Sequence, residues 1–510
     1  MERRGWQDKA GCKVTPTAHS SRMEVSQAFI WFTVKARQTD TIFNNLLHQI
    51  DVTLLRCAFN SLGKSKAKGV DGITKSRYGE NLELNLADLH ARIHENQYRT
   101  KPSRVIQIPK ANGKLRPIAI STIEDKIVQR AVTMILETIY EPVFLDSSLG
   151  ACRSILQKRK FQWRRLSEED EQKNRRRSCS YVDGFFAKSD EAGRMPMKFA
   201  AGEYSDRLLG FRPKRGCHKA IQKVYQLLGS GRRPYVIDVD IEKFFNSMNH
   251  KRLMEFLRLK INDRRFLHLV GKLLRTMVRE DGLDVINEVG SPQGSIVSPI
   301  LANIYLHYVL DEWFEKIGAG HYQRMVRYAD DVIFCFRDED KAREFKPTLQ
   351  KRLEEYGLGL NEEKTKIVLF EKGAHEAFHF LGFTFYWGKD RKRNVYLKVK
   401  TQAEKLRMKL AEIKVWLKKI RNRMSLNNII SELKMKLSGH YAYYGIETNS
   451  KTWVFYNLCL KLLFKWINRR SQKRSYSWKG FMDRLKHSPL PKPFLANKFS
   501  FAQDIFAFAI

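Results

Sequence analysis

Two adjacent carboxylates, Asp330 and Asp331, constrain this chain more than any other feature. Apolar residues flank them on both sides, with Met325 and Val326 before and Val-Ile-Phe-Cys-Phe after, at residues 332–336. This pattern predicts a strand, a tight turn and a second strand. Because side chains alternate across a strand, a turn is needed to direct neighbouring acids towards one centre. Keeping two like charges together is unfavourable, which suggests a divalent cation such as Mg²⁺ between them.

An isolated acidic pair is usually only a solvated surface turn, but a second acidic strand lies upstream. Residues 234–241 read Pro-Tyr-Val-Ile-Asp-Val-Asp-Ile. The alternation places Asp238 and Asp240 on one face of a strand, and the intervening Ile and Val side chains on the other. If the two strands meet in one antiparallel sheet, Asp240 joins Asp330 and Asp331 in a metal site. A pair of metal ions can bind both oxygens of an in-line phosphoryl displacement.

The charge balance predicts a nucleic-acid binder. The 510 residues include 93 Lys and Arg against 55 Asp and Glu, a formal net charge of +38. An excess of this size gives sequence-independent affinity for phosphates, and the length predicts several domains. A membrane-surface role would also use positive charge, but no stretch approaches the roughly 20 apolar residues that a membrane span needs. The seven cysteines contain no Cys-x-x-Cys pair, which argues against a zinc ribbon or a disulfide framework.

A basic hairpin is predicted near the start of the chain. Residues 103–108 and 115–120 have the composition of strands, and Ala-Asn-Gly at 111–113 has that of a turn. Lys110, Lys114 and Arg116 cluster at this turn. Two interpretations remain open, a solvated hairpin tip and a clamp that closes over a triphosphate.

A segment of unusual composition follows. Asp-Ser-Ser-Leu-Gly at residues 146–150 is echoed by Asp-Arg-Leu-Leu-Gly at 206–210, and polar, arginine-rich sequence lies between them. The pattern predicts an insertion over 146–210 that forms a disordered surface loop.

The C-terminal part is predicted to be helical and basic. Leu406, Ile413 and Leu417 give one amphipathic helix, and Ser425 is an expected N-cap of the next. Between residues 448 and 482 there is no acidic residue, while cations alternate with Trp, Tyr and Phe. Such a helix could pack its aromatic residues and present its cations to RNA, although a solvated charged face is the alternative. The candidate RNA-binding cations are Lys461, Lys465, Arg469, Arg470, Lys473 and Arg474.

Six short motifs occur in an order that resembles one protein family. They are Val-Asp-Gly-Ile-Thr at 70–74, Ile-Pro-Lys and Arg-Pro at 108–117, Asp-Ile-Glu-Lys-Phe-Phe at 240–245, Ser-Pro-Gln-Gly at 291–294, Tyr-Ala-Asp-Asp at 328–331 and Phe-Leu-Gly at 380–382. Residues 439–446 and 465–471 resemble the C-terminal region of the same family. The family is that of the reverse transcriptase and maturase proteins encoded by group II introns.

The resemblance implies an α+β fold, a right-hand polymerase with helical fingers, an antiparallel-sheet palm and an α-helical thumb or maturase domain. On this basis residues 1–40 are a leader, 41–145 the fingers, 146–210 the insertion, 211–395 the palm, 396–495 the thumb and maturase domain, and 496–510 a tail. The tail has no Cys or His cluster, which resembles the family members that lack an endonuclease extension.

The resemblance also assigns roles to individual residues. Asp240, Asp330 and Asp331 would be the catalytic acids that bind two Mg²⁺ ions, with the backbone carbonyl of Ile241 as a further ligand. The nucleotide-binding residues would be Lys110 and Arg116 on the triphosphate, Phe245 as a steric gate against the 2′-hydroxyl, Gln293 in the nucleotide pocket, and Lys364 as a proton donor to the leaving pyrophosphate.

The implied function is RNA-directed DNA synthesis from a primer, together with binding of the parent intron RNA to promote splicing and mobility. The partners would be an RNA template, intron RNA, a DNA primer or target and deoxynucleoside triphosphates, with no membrane. Two alternatives stay open, a catalytically silent splicing maturase and a domesticated reverse transcriptase in host defence or repair. The expected location is the bacterial cytoplasm and nucleoid, or an organelle, and the sequence leaves the oligomeric state open.

Overall fold

The computed structural model describes residues 32–38, 41–63, 67–109, 115–144, 216–280, 283–285, 289–318, 324–389, 392–471 and 475–495. The predicted loop at 146–210 and the turn at 111–113 lie outside these residues, as do most of the predicted leader and the tail.

Strands and helices are both numbered in chain order. The strands are β1 (Ser103–Pro109), β2 (Leu115–Ile120), β3 (Tyr235–Glu242), β4 (Val278–Glu280), β5 (Leu283–Val285), β6 (Arg324–Tyr328), β7 (Asp331–Phe336), β8 (Gly359–Leu360), β9 (Lys366–Leu369), β10 (Ala377–Phe380), β11 (Phe383–Lys389) and β12 (Val395–Thr401). The helices are α1 (Val52–Ser61), α2 (Lys75–Gly79), α3 (Leu82–His94), α4 (Ile123–Tyr140), α5 (Cys217–Gly229), α6 (Phe244–Ser247), α7 (His250–Arg258), α8 (Arg264–Leu274), α9 (Ser298–Leu306), α10 (Glu312–Gly318), α11 (Glu339–Glu355), α12 (Ala403–Ile420), α13 (Leu426–Tyr444), α14 (Lys451–Ile467) and α15 (Trp478–Lys486).

The central sheet brings together the two acidic segments. Its order is β6-β7-β3, and β8 and β9 pair with the other edge of β3. The predicted strand, turn and strand around Asp330 are confirmed as β6 and β7. The expectation that the acidic strands meet in one antiparallel sheet is also confirmed, because β3 pairs with β7 and Asp240 lies opposite Asp331. The apolar face of β3 is buried, which fixes the register of the pairing.

A second sheet has the order β2-β1-β4-β5. The predicted hairpin is confirmed by the antiparallel pairing of β1 with β2, in which Ile108 lies opposite Arg116. Strand β4, far along the chain, joins the other edge of β1 in parallel, with Ser103 opposite Val278. Residues 278–285 therefore complete a sheet that residues 103–120 begin.

Three apolar cores hold these elements together. The largest joins α1, α3 and α4 to α7, α8, α9, α11 and the central sheet. A second packs α5 and the other face of the central sheet against the three-stranded sheet β10-β11-β12. The third is made by α12 to α15, and Ser425 caps α13 as predicted, since its hydroxyl accepts from the Asn428 N–H.

The helix after the Ser-Pro-Gln-Gly motif begins differently from what its sequence predicts. Ser298 followed by Pro299 is typical of an N-cap and a first helical position, but Val297 occupies the N-cap position. The Ser298 hydroxyl instead donates to the Pro292 carbonyl at 3.1 Å, which holds the preceding loop. The helix then widens into a π-helical segment, His307–Asp311, before α10. Among the helices of the described ranges, none is long and apolar enough to cross a membrane.

Candidate active site

Three carboxylates lie at the end of the central sheet. Asp240 and Asp331 are directly opposite on β3 and β7, an arrangement in which Cα atoms are about 4.5–5.5 Å apart. Asp330 occupies the two-residue turn between β6 and β7. Ala329, the other residue of that turn, has a φ of 57°, an uncommon value for a residue that is not glycine. The structure thus brings the three predicted catalytic acids to one edge of the sheet.

Their electrostatics show that negative charge is concentrated there. Protein packed around Asp331 withdraws water from its carboxylate, and the charges of Asp330 and Asp240 add repulsion, which together raise the pKa of Asp331 to about 7. Removal from water also raises the pKa of Asp330 above its ordinary value. Asp238, on the same face of β3, has a pKa raised to about 7 by burial and by Asp331 and Asp240. A bound cation would relieve this repulsion.

Lys364 already places a positive charge at the site. Its Nζ lies 2.8 Å from Asp240 Oδ2, in an ion pair that remains largely open to solvent. The backbone around Asp240 is fixed by its neighbours, since the Asn361 N–H donates to the Asp240 carbonyl at 3.0 Å. Successive carbonyls of a strand point to opposite edges, so the carbonyl of Ile241 is directed towards β7 and its acids.

The donor set suits a hard cation but does not enclose one. Carboxylate and carbonyl oxygens are the ligands that Mg²⁺ prefers, and Mg²⁺ usually keeps several waters and binds substrate phosphates. Within the residues that the structure describes, no three His, Cys, Asp or Glu side chains converge closely enough to hold a metal ion by themselves. The three acids offer oxygen ligands of the kind that Mg²⁺ prefers.

Two of the predicted nucleotide-binding residues contact each other. Arg116 Nε on β2 donates to Gln293 Oε1 at 2.7 Å, although the two are 177 residues apart. The Gln293 carbonyl accepts from the Ala119 N–H at 2.7 Å, which joins the Ser-Pro-Gln-Gly loop to the basic hairpin. Lys110 lies outside the described residues.

Phe245 is held by the same loop. Its carbonyl accepts from the Ser291 N–H at 2.7 Å, and the Gly290 N–H donates to the Met248 carbonyl at 2.9 Å. Its ring is half-buried against the largest core. The position of Phe245 relative to β3 is thus set by backbone bonds to the loop that carries Gln293.

The predicted RNA-binding cations fall into different environments. Lys461, Lys465 and Arg469 are exposed. Arg470 is half-buried, and its Nη2 donates to the Met424 carbonyl at 3.0 Å, so it fastens the turn between α12 and α13. Lys473 and Arg474 lie outside the described residues.

The expectation that the aromatic residues of this region pack inside is only partly confirmed. Trp466 is buried, and the guanidinium groups of Arg421 and Arg469 lie 5.1 and 5.7 Å from its ring centre. Trp453 and Trp478 are 49% and 43% exposed. These two rings add exposed apolar surface to a region that also carries exposed cations.

Sequence reasoning missed two groups near the acids. Lys405, in the first turn of α12, is close enough for its charge to lower the pKa of Asp331. Asn361 bonds the Asp240 backbone, as described above. The sequence between residues 357 and 366 indicates short strands, but nothing in it indicates that these strands pair with β3.

Parts of the chain are similar to a reverse transcriptase family and to proteins encoded by introns. A family model described as reverse transcriptase (RNA-dependent DNA polymerase) matches residues 195–385. Protein YkfC of Escherichia coli is 28% identical over 64% of this chain and 77% of its own length. Group II intron-encoded protein LtrA of Lactococcus lactis is 28% identical over 49% of this chain, and a putative COX1/OXI3 intron 1 protein of Saccharomyces cerevisiae is 25% identical over 67%. The chain spans only 32% of LtrA and 39% of the yeast protein.

Proposed function

Because the chain belongs to the family of reverse transcriptases and maturases that group II introns encode, we propose that it is an RNA-directed DNA polymerase that extends a primer by two-metal phosphoryl transfer. The observation that carries the proposal is the pairing of Asp240 with Asp331 across two strands, with Asp330 at the adjoining turn.

Asp240, Asp330, Asp331 and the Ile241 carbonyl would hold the two Mg²⁺ ions. When bound, these ions lower the pKa of the primer 3′-hydroxyl and neutralise charge that develops on the phosphates. Lys364, whose Nζ lies 2.8 Å from Asp240 Oδ2, would donate a proton to the leaving pyrophosphate.

Arg116 and Gln293 form one wall of the nucleotide pocket, and Lys110, the residue that follows β1 in the sequence, would bind the triphosphate together with Arg116. Phe245 stands below the sugar and excludes a 2′-hydroxyl by contact with its ring. Its carbonyl bond to Ser291 links this selection to the loop that carries Gln293.

We assign the sheet β2-β1-β4-β5 with α1 to α4 to the fingers, the central sheet to the palm, and α12 to α15 to the thumb and maturase domain. The domain boundaries given above remain predictions. We group β4 and β5 with the fingers because β4 pairs with β1, although both strands lie within the range 211–395 predicted as the palm. The exposed Lys461, Lys465 and Arg469 suit the phosphates of template and intron RNA, which supports a second role in splicing.

Primer extension on an RNA template with Mg²⁺ tests the proposal. Asp330→Asn and Asp331→Asn should each lower the rate of incorporation at least about 100-fold, since metal coordination stabilises the transition state by several kcal/mol. Asp483→Asn, which alters an exposed carboxylate paired with Lys486 on α15, is the matched control and should leave the rate unchanged.

Unchanged incorporation in both active-site variants would refute the polymerase assignment. Splicing of the parent intron by a wild-type chain that incorporates no nucleotide would favour the silent maturase instead.

A further inference from the structure

The side chain of Arg327 lies buried beneath the turn that carries Asp330. Arg327 is 3% exposed and Asp311 is fully buried. Arg327 Nε donates to Asp311 Oδ1 at 2.7 Å, and Nη2 donates to the other carboxylate oxygen, so the pair is bidentate. Burial favours the neutral form of Asp311, but Arg327 and His307 hold the pKa of its carboxyl below the ordinary value.

The third guanidinium nitrogen reaches the catalytic turn itself. Arg327 Nη1 donates to the Ala329 carbonyl at 3.1 Å and to Asn303 Oδ1 at 3.0 Å. Ala329 has a φ of 57°, a left-handed conformation that is unfavourable for a residue with a side chain. A turn of this kind persists only where its surroundings fix it, and the bond from Arg327 does so next to Asp330.

The anchor of Arg327 depends on an irregular helix. Asp311 is the last residue of the π-helical segment His307–Asp311, and single π-helical turns within α-helices are frequent at functional sites. Arg352 on α11 supports the segment, because its Nε donates to the Val309 carbonyl at 3.0 Å and its guanidinium lies 4.3 Å from the Tyr356 ring centre. The bulge is thus held from one side by Arg352 and engages Arg327 on the other.

We propose that Arg327, anchored by Asp311 and Asn303, is a positioning residue that fixes the Ala329 turn and so the direction in which Asp330 and Asp331 present their carboxylates to metal. This inference rests on the proposed polymerase function. Replacing a buried ion pair by apolar residues is often neutral for stability, so stability alone does not account for the pair. The hydrogen bond to the Ala329 carbonyl supplies a functional reason for the pair, namely that it fixes the turn that carries Asp330.

The test is the double variant Arg327→Leu with Asp311→Leu, which removes both buried charges together. It should unfold near the wild-type temperature but add a single nucleotide about 10- to 100-fold more slowly at saturation. The KM for the deoxynucleotide and the affinity for template and primer should stay nearly unchanged, while the Mg²⁺ concentration for half-maximal rate rises. The matched control is Arg130→Leu with Glu137→Leu, which removes another largely buried pair, on α4 and away from the turn.

A folded double variant with the wild-type rate and Mg²⁺ dependence would overturn the inference. If the double variant does not fold, Arg327→Lys decides, since a lysine keeps the charge but has a single nitrogen in place of the three that bond Asp311, Asn303 and the Ala329 carbonyl. A wild-type rate for that variant would likewise overturn it. If the wild-type protein extends no primer, the proposed function fails, and Mn²⁺ affinity measured by electron paramagnetic resonance then tests Arg327 separately. Weaker Mn²⁺ binding by the variants supports the positioning role, and equal binding refutes it.

Discussion

Gly290 offers the sharpest test of how the loop near Phe245 is built. Its φ is +82°, and a Cβ at this position would lie 2.6 Å from the Phe245 carbonyl oxygen and 2.7 Å from the Asn246 Cα. Ordinary contact with a Cβ begins at 3.4 Å, so the backbone near Phe245 has to move by up to 0.8 Å in Gly290→Ala. Neither neighbour is the flexible end of a side chain.

Two costs add in this variant. A left-handed conformation costs a residue with a side chain about 1–2 kcal/mol, and forcing an extra methyl group into a packed region costs about 1–3 kcal/mol. The free energy of unfolding should therefore fall by about 2–5 kcal/mol, a large part of the 5–15 kcal/mol typical of a domain. Because the displaced atoms belong to Phe245 and Asn246, discrimination against ribonucleotides should also weaken.

Urea denaturation and single-nucleotide incorporation with deoxy- and ribonucleotides measure these two effects. Gly271→Ala is the control, since its Cβ would meet no atom within 4 Å and it lies inside α8, where alanine is preferred by about 1 kcal/mol. The reasoning is wrong if Gly290→Ala and Gly271→Ala unfold at the same urea concentration and both discriminate between deoxy- and ribonucleotides as the wild type does.

Two further predictions concern pH and RNA. The Mg²⁺ concentration for half-maximal activity should rise as pH falls from 8 to 6, because protons compete for Asp331, whose pKa is raised to about 7; a constant value contradicts this. In salt titrations, Lys465→Gln should reduce the slope of log affinity for RNA by about 0.7–0.9 without changing the unfolding midpoint. Arg470→Gln should lower the midpoint, because it breaks the bond to Met424; the reverse pattern contradicts the contacts described.

Local patterns predicted much of the catalytic edge. The alternation around Asp240 predicted β3, and the apolar flanks of Asp330 predicted β6 and β7. In each case the apolar residues next to the acids in the sequence indicate which face of the strand is buried. The pairing of β3 with β7 was predicted because carboxylates on both strands could bind one metal site together.

Apart from the pairing of β3 with β7, the contacts between distant segments were not visible in the sequence. The apolar spacing from Ile300 to Val309 predicts one regular helix, but a π-helical segment follows α9, and the Val309 carbonyl accepts a hydrogen bond from Arg352, more than forty residues away. Ser298 resembles an N-cap, yet its hydroxyl bonds back to Pro292. Arg327 lies in a strand between apolar residues, and a charged residue there is a signal of a buried partner, but the sequence does not identify Asp311 as that partner.

The parallel pairing of β1 with β4 has a consequence for biosynthesis. Nascent chains grow by about 5–20 residues per second, so roughly 10–30 s pass between translation of β2 and of β4. During this time the outer edge of β1 has no native partner. The largest core is also incomplete, because it includes residues of β6 and β7 that have not yet been translated. Chaperone capture of ribosome-bound chains should therefore be strongest in this interval. Deletion of the segment at 146–210 should shorten the interval and the period of capture.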